Sequence, residues 1–234
     1  MTDGKRALIV GAGAGLSAAV ARQLAADGWR VSLSARNTAR LAGLCAEIGA
    51  TAHACDATDP DQVAALFAAL DRSGGAPAFV LYNASRRAPG AVTDLDPAEV
   101  KKILEISAFG GFLVAQQAAR RMLPAGKGAI FFTGASASVK GYPRSSSFAM
   151  GKFALRGLAQ SLARELHPQG IHIAHFVIDG GIAAAHRDGR QNTADAPDKW
   201  LEPDAIAETY MAVLKQHRSA WTWEVEIRPW VETF

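Results

Sequence analysis

The chain has 234 residues, 49% of them hydrophobic and 20% charged, and a formal net charge of +3. So much apolar surface excludes a disordered chain, and the length suits one α/β domain spanning residues 1–234. The mild positive charge sits in scattered pairs (Arg86/Arg87, Lys101/Lys102, Arg120/Arg121) without interleaved aromatics, so no nucleic acid partner is expected.

Arg6 to Val10 is a short apolar run of strand formers. Gly11, Gly13 and Gly15 follow, and from Ser17 to Ala26 apolar residues recur at helical spacing. A strand, tight turn and helix in this order aim several backbone N–H groups and a helix dipole at one spot, and glycine admits a diphosphate at close range. The expected ligand is a nucleotide, held by Gly11, Gly13, Ala14, Gly15 and Leu16. The competing reading is a structural turn that binds nothing. Leu16 stands where GxGxxG has its last glycine, so GxxxG from Gly11 to Gly15 describes the turn better.

The rest alternates strand and helix. Strands are expected at Arg30–Ala35, Thr51–Cys55, Ala78–Tyr82, Ala129–Thr133, Ile171–Ile178 and Thr222–Ile227. Helices are expected at Thr38–Ile48, at Pro60–Leu70 with Asp59 as cap, from Asp96 to Met122 with a break near Ser107–Gly111, at Ser146–Leu166 and at Pro203–Gln216. This pattern implies a Rossmann-like doubly wound parallel sheet with helices on both faces, whose ligands bind at the carboxyl ends of the strands. No apolar run reaches membrane-spanning length and the polar start MTDGKR leads into a strand, so a soluble, cytoplasmic protein with no membrane partner is expected. Cys45 and Cys55 lack metal-ligand spacing and are expected as buried thiols, with no disulfide and no metal.

The strand ends carry polar groups. About 20 residues after the glycine turn, where an acid would hold a ribose 2′-hydroxyl, the chain has Arg36. A guanidinium there suits a 2′-phosphate and so NADP; the alternative is an exposed arginine opening a helix. Asp56, beside Ala57, would accept a hydrogen bond from an adenine amino group, and Asn83, Ala84 and Ser85 would line the cofactor at the next strand end. Either Asp56 or Asn83 alone would also serve as a simple cap or turn residue.

The turn GAGAGLS at 11–17, Asp56, NAS at 83–85, FAMGK at 148–152 and DGGI at 179–182 together resemble the ordered motifs of the short-chain dehydrogenase/reductase family. The resemblance implies about seven strands, an NAD(P) site with Ile182 near the nicotinamide and Lys152 on its ribose, and a homodimer or homotetramer. The subunits would meet through helices at Phe109–Met122 and Phe148–Leu166, where Gly110, Gly111 and alanines would permit close approach. The family places a tyrosine four residues before the lysine, a serine about thirteen before the tyrosine and an asparagine on the preceding helix. Here Phe148, Ala135 and Ser107 occupy those positions, and Asp179 replaces a proline.

Phenylalanine cannot donate the proton that carbonyl reduction requires. The first expectation is an NADP-dependent reductase of a small carbonyl or activated C=C or C=N compound, with a replaced donor. Tyr142, Ser136, Ser138, Lys152 itself or water are the candidates, with Ser107 at the asparagine's place. The alternative is a protein that binds NADP(H) without turnover, as a sensor or scaffold. Dehydration or isomerisation has only His186 behind it. Residues 180–198, few of them apolar after Ile182, are the expected substrate lid, with His186, Arg187 and Arg190 facing an anion or simply solvated. Trp230 and Phe234 in the aromatic tail are expected to bury against another subunit.

Overall fold

A computed structural model describes residues 5–184 and 189–233. Seven strands form one parallel sheet: β1 (Arg6–Val10), β2 (Arg30–Ala35), β3 (Thr51–Ala54), β4 (Phe79–Tyr82), β5 (Gly128–Thr133), β6 (Ile171–Ile178) and β7 (Glu224–Ile227). Their spatial order is β3-β2-β1-β4-β5-β6-β7, and every neighbouring pair is parallel. The winding direction reverses between β1 and β4, so the crevice of a doubly wound sheet opens beyond Val10 and Tyr82.

Each central strand is apolar on both faces, because each face meets helices. Ala7, Ile9, Phe79, Leu81, Phe131 and Phe176 enter one core with α1 (Leu16–Ala26) and α7 (Pro203–Leu214). Leu8, Val10, Val80, Tyr82, Ile130 and Ile173 enter the other, against α3 (Pro60–Arg72), α5 (Gly110–Met122) and α6 (Ser146–Leu166). The short α2 (Ala42–Ile48) packs beside α1, and α4 (Pro97–Leu104) beside α6.

Capping sets several helix starts. Asp59 accepts from the N–H groups of Asp61 and Gln62, and Asp96 from that of Ala98. Glu99 does not return to the backbone; it takes a forked ion pair from Arg86. The helix expected from Thr38 begins as a 3-10 turn, Thr38–Leu41, because the Asn37 side chain holds the Ala39 N–H, and Gly49, at φ +66°, ends α2. The last helix stops at Leu214, and Gln216 turns its amide to Thr222 instead.

The break expected near Ser107–Gly111 is a π-helical turn, Glu105–Phe109, inserted between α4 and α5. The Tyr82 hydroxyl donates to the Ile106 carbonyl at 2.5 Å. A Cβ on Gly110 would strike that hydroxyl and the Ala57 carbonyl, and one on Gly111 would strike Leu155 and lie against Tyr82. These two glycines therefore serve packing inside the chain, not the approach of a second subunit. In the tail, Trp221 stacks on His172 at 4.7 Å, whereas Trp230 is 78% exposed; Phe234 lies outside the described residues. Cys55 is buried, Cys45 is half-buried, and both are free thiols. Among the described residues no helix is long and apolar enough to cross a membrane.

Candidate active site

The glycine turn is built by two constraints. Gly11 sits at φ +80°, and a side chain there would collide with the Ala84 backbone. Its N–H and that of Ala12 both donate to the Ser34 carbonyl, which fixes the end of β1 to β2. Asn83 then donates to the Ser17 hydroxyl at 2.7 Å, and Ser17 donates on to the Gly11 carbonyl at 3.2 Å. Gly11, Ser17, Asn83 and Ala84 are thus one assembly spanning β1, α1 and β4.

Beyond it the turn is open. A Cβ on Gly13 or Gly15 would meet nothing within 4 Å, and the N–H groups of Gly13, Ala14 and Gly15 make no hydrogen bond among the described residues. The first turn of α1 carries no acid, and Leu16 is buried in the core. Unpaired N–H donors at a helix start, without carboxylates, fit a pyrophosphate. Two clefts adjoin the turn. One is lined by Gly13, Ala14, Arg22, Arg40 and Leu44, the other by Ala14, Gly15, Ala183, Arg190 and Glu202. Arg36 is exposed just past β2. Arg40, in the cleft itself, was missed in the sequence; its signal was its place one turn after Arg36.

The other candidates differ in how far they are committed. One Asp56 oxygen accepts from the Thr58 N–H and hydroxyl, which shapes the loop after β3 and occupies that oxygen. Ala57 is buried, with its carbonyl beside Gly110, and Ser85 is exposed. Ile182 is half-buried and pairs with Leu201. Within 180–198, Ala184 pairs with Arg190, and the Asn192 side chain is bonded to Trp200 and Glu202; His186 and Arg187 lie outside the described residues.

Lys152 is only 2% exposed and donates from Nζ to the Thr133 carbonyl, the last of β5, at 2.7 Å. Burial lowers its pKa to about 8. Phe148, one turn earlier on α6, places its ring centre 5.8 Å from that ammonium, and the Arg87 guanidinium lies 4.7 Å from the same ring centre. Ser107, inside the π turn, is fully buried; its Oγ has no hydrogen-bond partner and faces Gly151. Ser138 accepts the Ala135 N–H, and Ser136 is half-buried. Tyr142 is 42% exposed, and its carbonyl takes the Ser145 N–H.

Two ionic groups were not legible. Asp179 is buried and pairs with Lys140 at 3.1 Å and Arg228 at 2.9 Å, so the acid at the proline's place ties the loop after β5 to the chain beyond β7. Behind Lys152, buried His175 pairs with Glu224, which Arg156 grips with two bonds. Burial pushes His175 down to about 4 despite that carboxylate. Burial alone would raise Glu224, but Arg156 and His175 hold it below the ordinary carboxylate range.

A parallel sheet in this order, with a glycine turn at its switch point, is a doubly wound α/β fold whose ligand crevice lies beyond β1 and β4. The model of the short chain dehydrogenase family matches residues 5–194, and the chain belongs to that family. It is 31% identical over 182 residues to short chain aldehyde dehydrogenase 1 of Euphorbia lathyris, covering 73% of this chain and 62% of that one. It is 30% identical over 175 residues to the 3-oxoacyl-(acyl-carrier-protein) reductase MabA of Mycobacterium tuberculosis, covering 75% and 68%. Among solved structures, a short-chain dehydrogenase of Rhodopseudomonas palustris is similar at TM-score 0.83 and 34% identity over 96% of this chain and 98% of that one. A metagenomic short-chain oxidoreductase in complex with NADP matches at TM-score 0.83 and 26% identity, over 96% and 97%.

Proposed function

We propose that this chain is an NADP-dependent oxidoreductase that reduces a small carbonyl or activated C=C or C=N compound with a replaced proton donor. The observation that carries the reading is the open cradle of N–H groups at Gly13, Ala14 and Gly15, with Arg40 in the adjoining cleft and Arg36 exposed just past β2. Those arginines would take the 2′-phosphate, with Ala57, Ala84 and Ser85 along the nucleotide and Ile182 by the nicotinamide. The free oxygen of Asp56 remains for the adenine amino group. When bound, NADPH would supply the hydride. Lys152, anchored on Thr133, would hold the nicotinamide ribose.

Phe148 removes the hydroxyl acid, so the proton comes from another group. Lys152 suits the role, because with a pKa of about 8 its ammonium gives up a proton far more readily than an ordinary lysine. Tyr142, Ser136 and water are the other donors, and Ser107, beside α6, would orient a water. Residues 180–198 would cover the substrate. A homodimer or homotetramer belongs to the same reading, supported by Phe109, Phe112, Met150 and Phe153, all at least 42% exposed on α5, α6 and the π turn before α5.

Fluorescence titration with NADPH and NADH in parallel is the first test, followed by acceptor screening through loss of NADPH absorbance. Tight, NADPH-selective binding is expected; binding of neither overturns the reading. With an acceptor found, kcat/KM that falls above pH about 8 and is lost in Lys152→Ala assigns the proton to Lys152. A flat profile with Tyr142 and Ser136 dispensable assigns it to water. The second reading, an NADP(H)-binding sensor or scaffold without turnover, is favoured by Phe148 alone, and turnover of any small acceptor rejects it.

A further inference from the structure

The two loops that roof Phe148 carry an unusual charge. Residues 83–93, after β4, contain Arg86 and Arg87 and no acid; residues 134–148, after β5, contain Lys140 and Arg144 and no acid. Two of these cations are answered locally, Arg86 by Glu99 and Lys140 by Asp179. Arg87 and Arg144 are not: among the described residues neither side chain makes a hydrogen bond or ion pair, and of the two only Arg87 lies on the face of the Phe148 ring, at 4.7 Å.

Its position is imposed by the fold. The Ser147 hydroxyl donates to the Ala88 carbonyl at 3.1 Å, and the Gly90 N–H donates to the Arg144 carbonyl at 3.0 Å. These bonds clamp the Arg87 loop to the first turn of α6 and the loop before it. The ion pair to Glu99 draws Arg86 to α4 and leaves its neighbour to lie on the ring. A guanidinium resting on an aromatic face keeps its N–H edge free, and that planar fork matches a carboxylate in a two-bond contact. A compound reacting beside residue 148 would meet that edge within one side-chain length.

We propose that Arg87, seated on Phe148, is the specificity-determining residue for a carboxylate carried by the substrate, so that the acceptors are oxo acids rather than neutral ketones or aldehydes. This deepens the reductase reading and rests on it for the location of the reacting group. Phe148 then has a positive role: it supports the cation that reads the substrate.

Phenylglyoxylate and its methyl ester share one ketone and differ in the carboxylate charge. Calorimetric titrations of each into the protein, with and without saturating NADP in its oxidised form, read binding independently of turnover. A charge-assisted contact predicts that the acid binds about tenfold or more tighter than the ester. In Arg87→Gln that preference disappears, and in Arg87→Lys part of it returns, with NADPH affinity serving as the check that both variants are folded. Equal affinity for acid and ester, binding of neither, or a preference that survives Arg87→Gln overturns the proposal. Loss of NADPH absorbance with phenylglyoxylate is read separately. Acid preference without reduction of any acceptor would sink the reductase reading and leave the role of Arg87 intact.

Discussion

Lys152→Met tests the buried ammonium directly. An ordinary lysine titrates at 10.5, and burial without a carboxylate partner brings Lys152 to about 8. At about 1.4 kcal/mol per tenfold change in acidity, folding with the ammonium form costs about 3 kcal/mol. The folded value lies below the unfolded one, so between pH 10.5 and about 8 the unfolded chain holds a proton that the folded chain lacks. Wild-type stability therefore rises with pH across that window, and the full cost is present at pH 7. Methionine does not titrate. It forfeits the hydrogen bond to the Thr133 carbonyl, about 1 kcal/mol at every pH.

At pH 7 the variant should be more stable than wild type by about 2 kcal/mol, which for a chain of this size raises Tm by about 4–8 °C. By pH 10.5 the order should reverse, wild type leading by about 1 kcal/mol. Thermal unfolding followed by circular dichroism at fixed protein concentration reads both values, fixed because association shifts Tm. A stability gap of the same size at pH 7 and pH 10.5 would refute the argument, since it would mean that Lys152 titrates alike in the folded and unfolded chain.

Arg36→Gln should weaken NADPH binding about tenfold and leave NADH unchanged, measured by fluorescence titration; equal losses for both would remove Arg36 from the 2′-phosphate site. Phe148→Tyr combined with Ala135→Ser should raise NADPH-dependent ketone reduction about 100-fold or more if the cofactor geometry is intact, and an unchanged rate would show that more than the acid is altered. Phe112→Glu with Phe153→Glu should convert an oligomer to a monomer in sedimentation velocity, whereas a monomeric wild type would show that those rings face water.

The parts legible in the sequence are those set by local chemistry. Strand-forming stretches matched β1, β2 and β6 to the residue, and the apolar run of β1 is what a parallel strand buried on both faces requires; Asp59 and Asp96 marked their helix starts because a cap is a short-range bond. The glycine turn was legible from its local spacing; Phe148 and Lys152 share a helix face at four-residue spacing, but only the family resemblance pointed to them as site residues. What escaped is long-range. Asp179 meets Lys140 and Arg228 across 39 and 49 positions, and the stacking of Arg87 on Phe148 spans 61, distances at which no sequence period operates. Gly110 and Gly111 were misread for the same reason: their neighbours, Tyr82 and Leu155, come from other elements.

The site's two halves rest on separate supports. The half around the glycine turn hangs on β1, α1 and the bond from Asn83 to Ser17; the half around Phe148 hangs on the first turn of α6 and its bond to the loop after β4. Lys152 joins them through Thr133. A change at residue 148 therefore leaves the glycine turn undisturbed, because no hydrogen bond of the cradle passes through it. The Phe148 ring carries the Arg87 guanidinium on its face. A guanidinium stays charged at any working pH, so it can hold an anion but cannot supply a proton. In the proposed reaction, binding and proton delivery, which one tyrosine hydroxyl can influence together, would fall to different groups. On the proposed reading Arg87 would answer charge on the substrate, while Lys152 or water would complete the reduction.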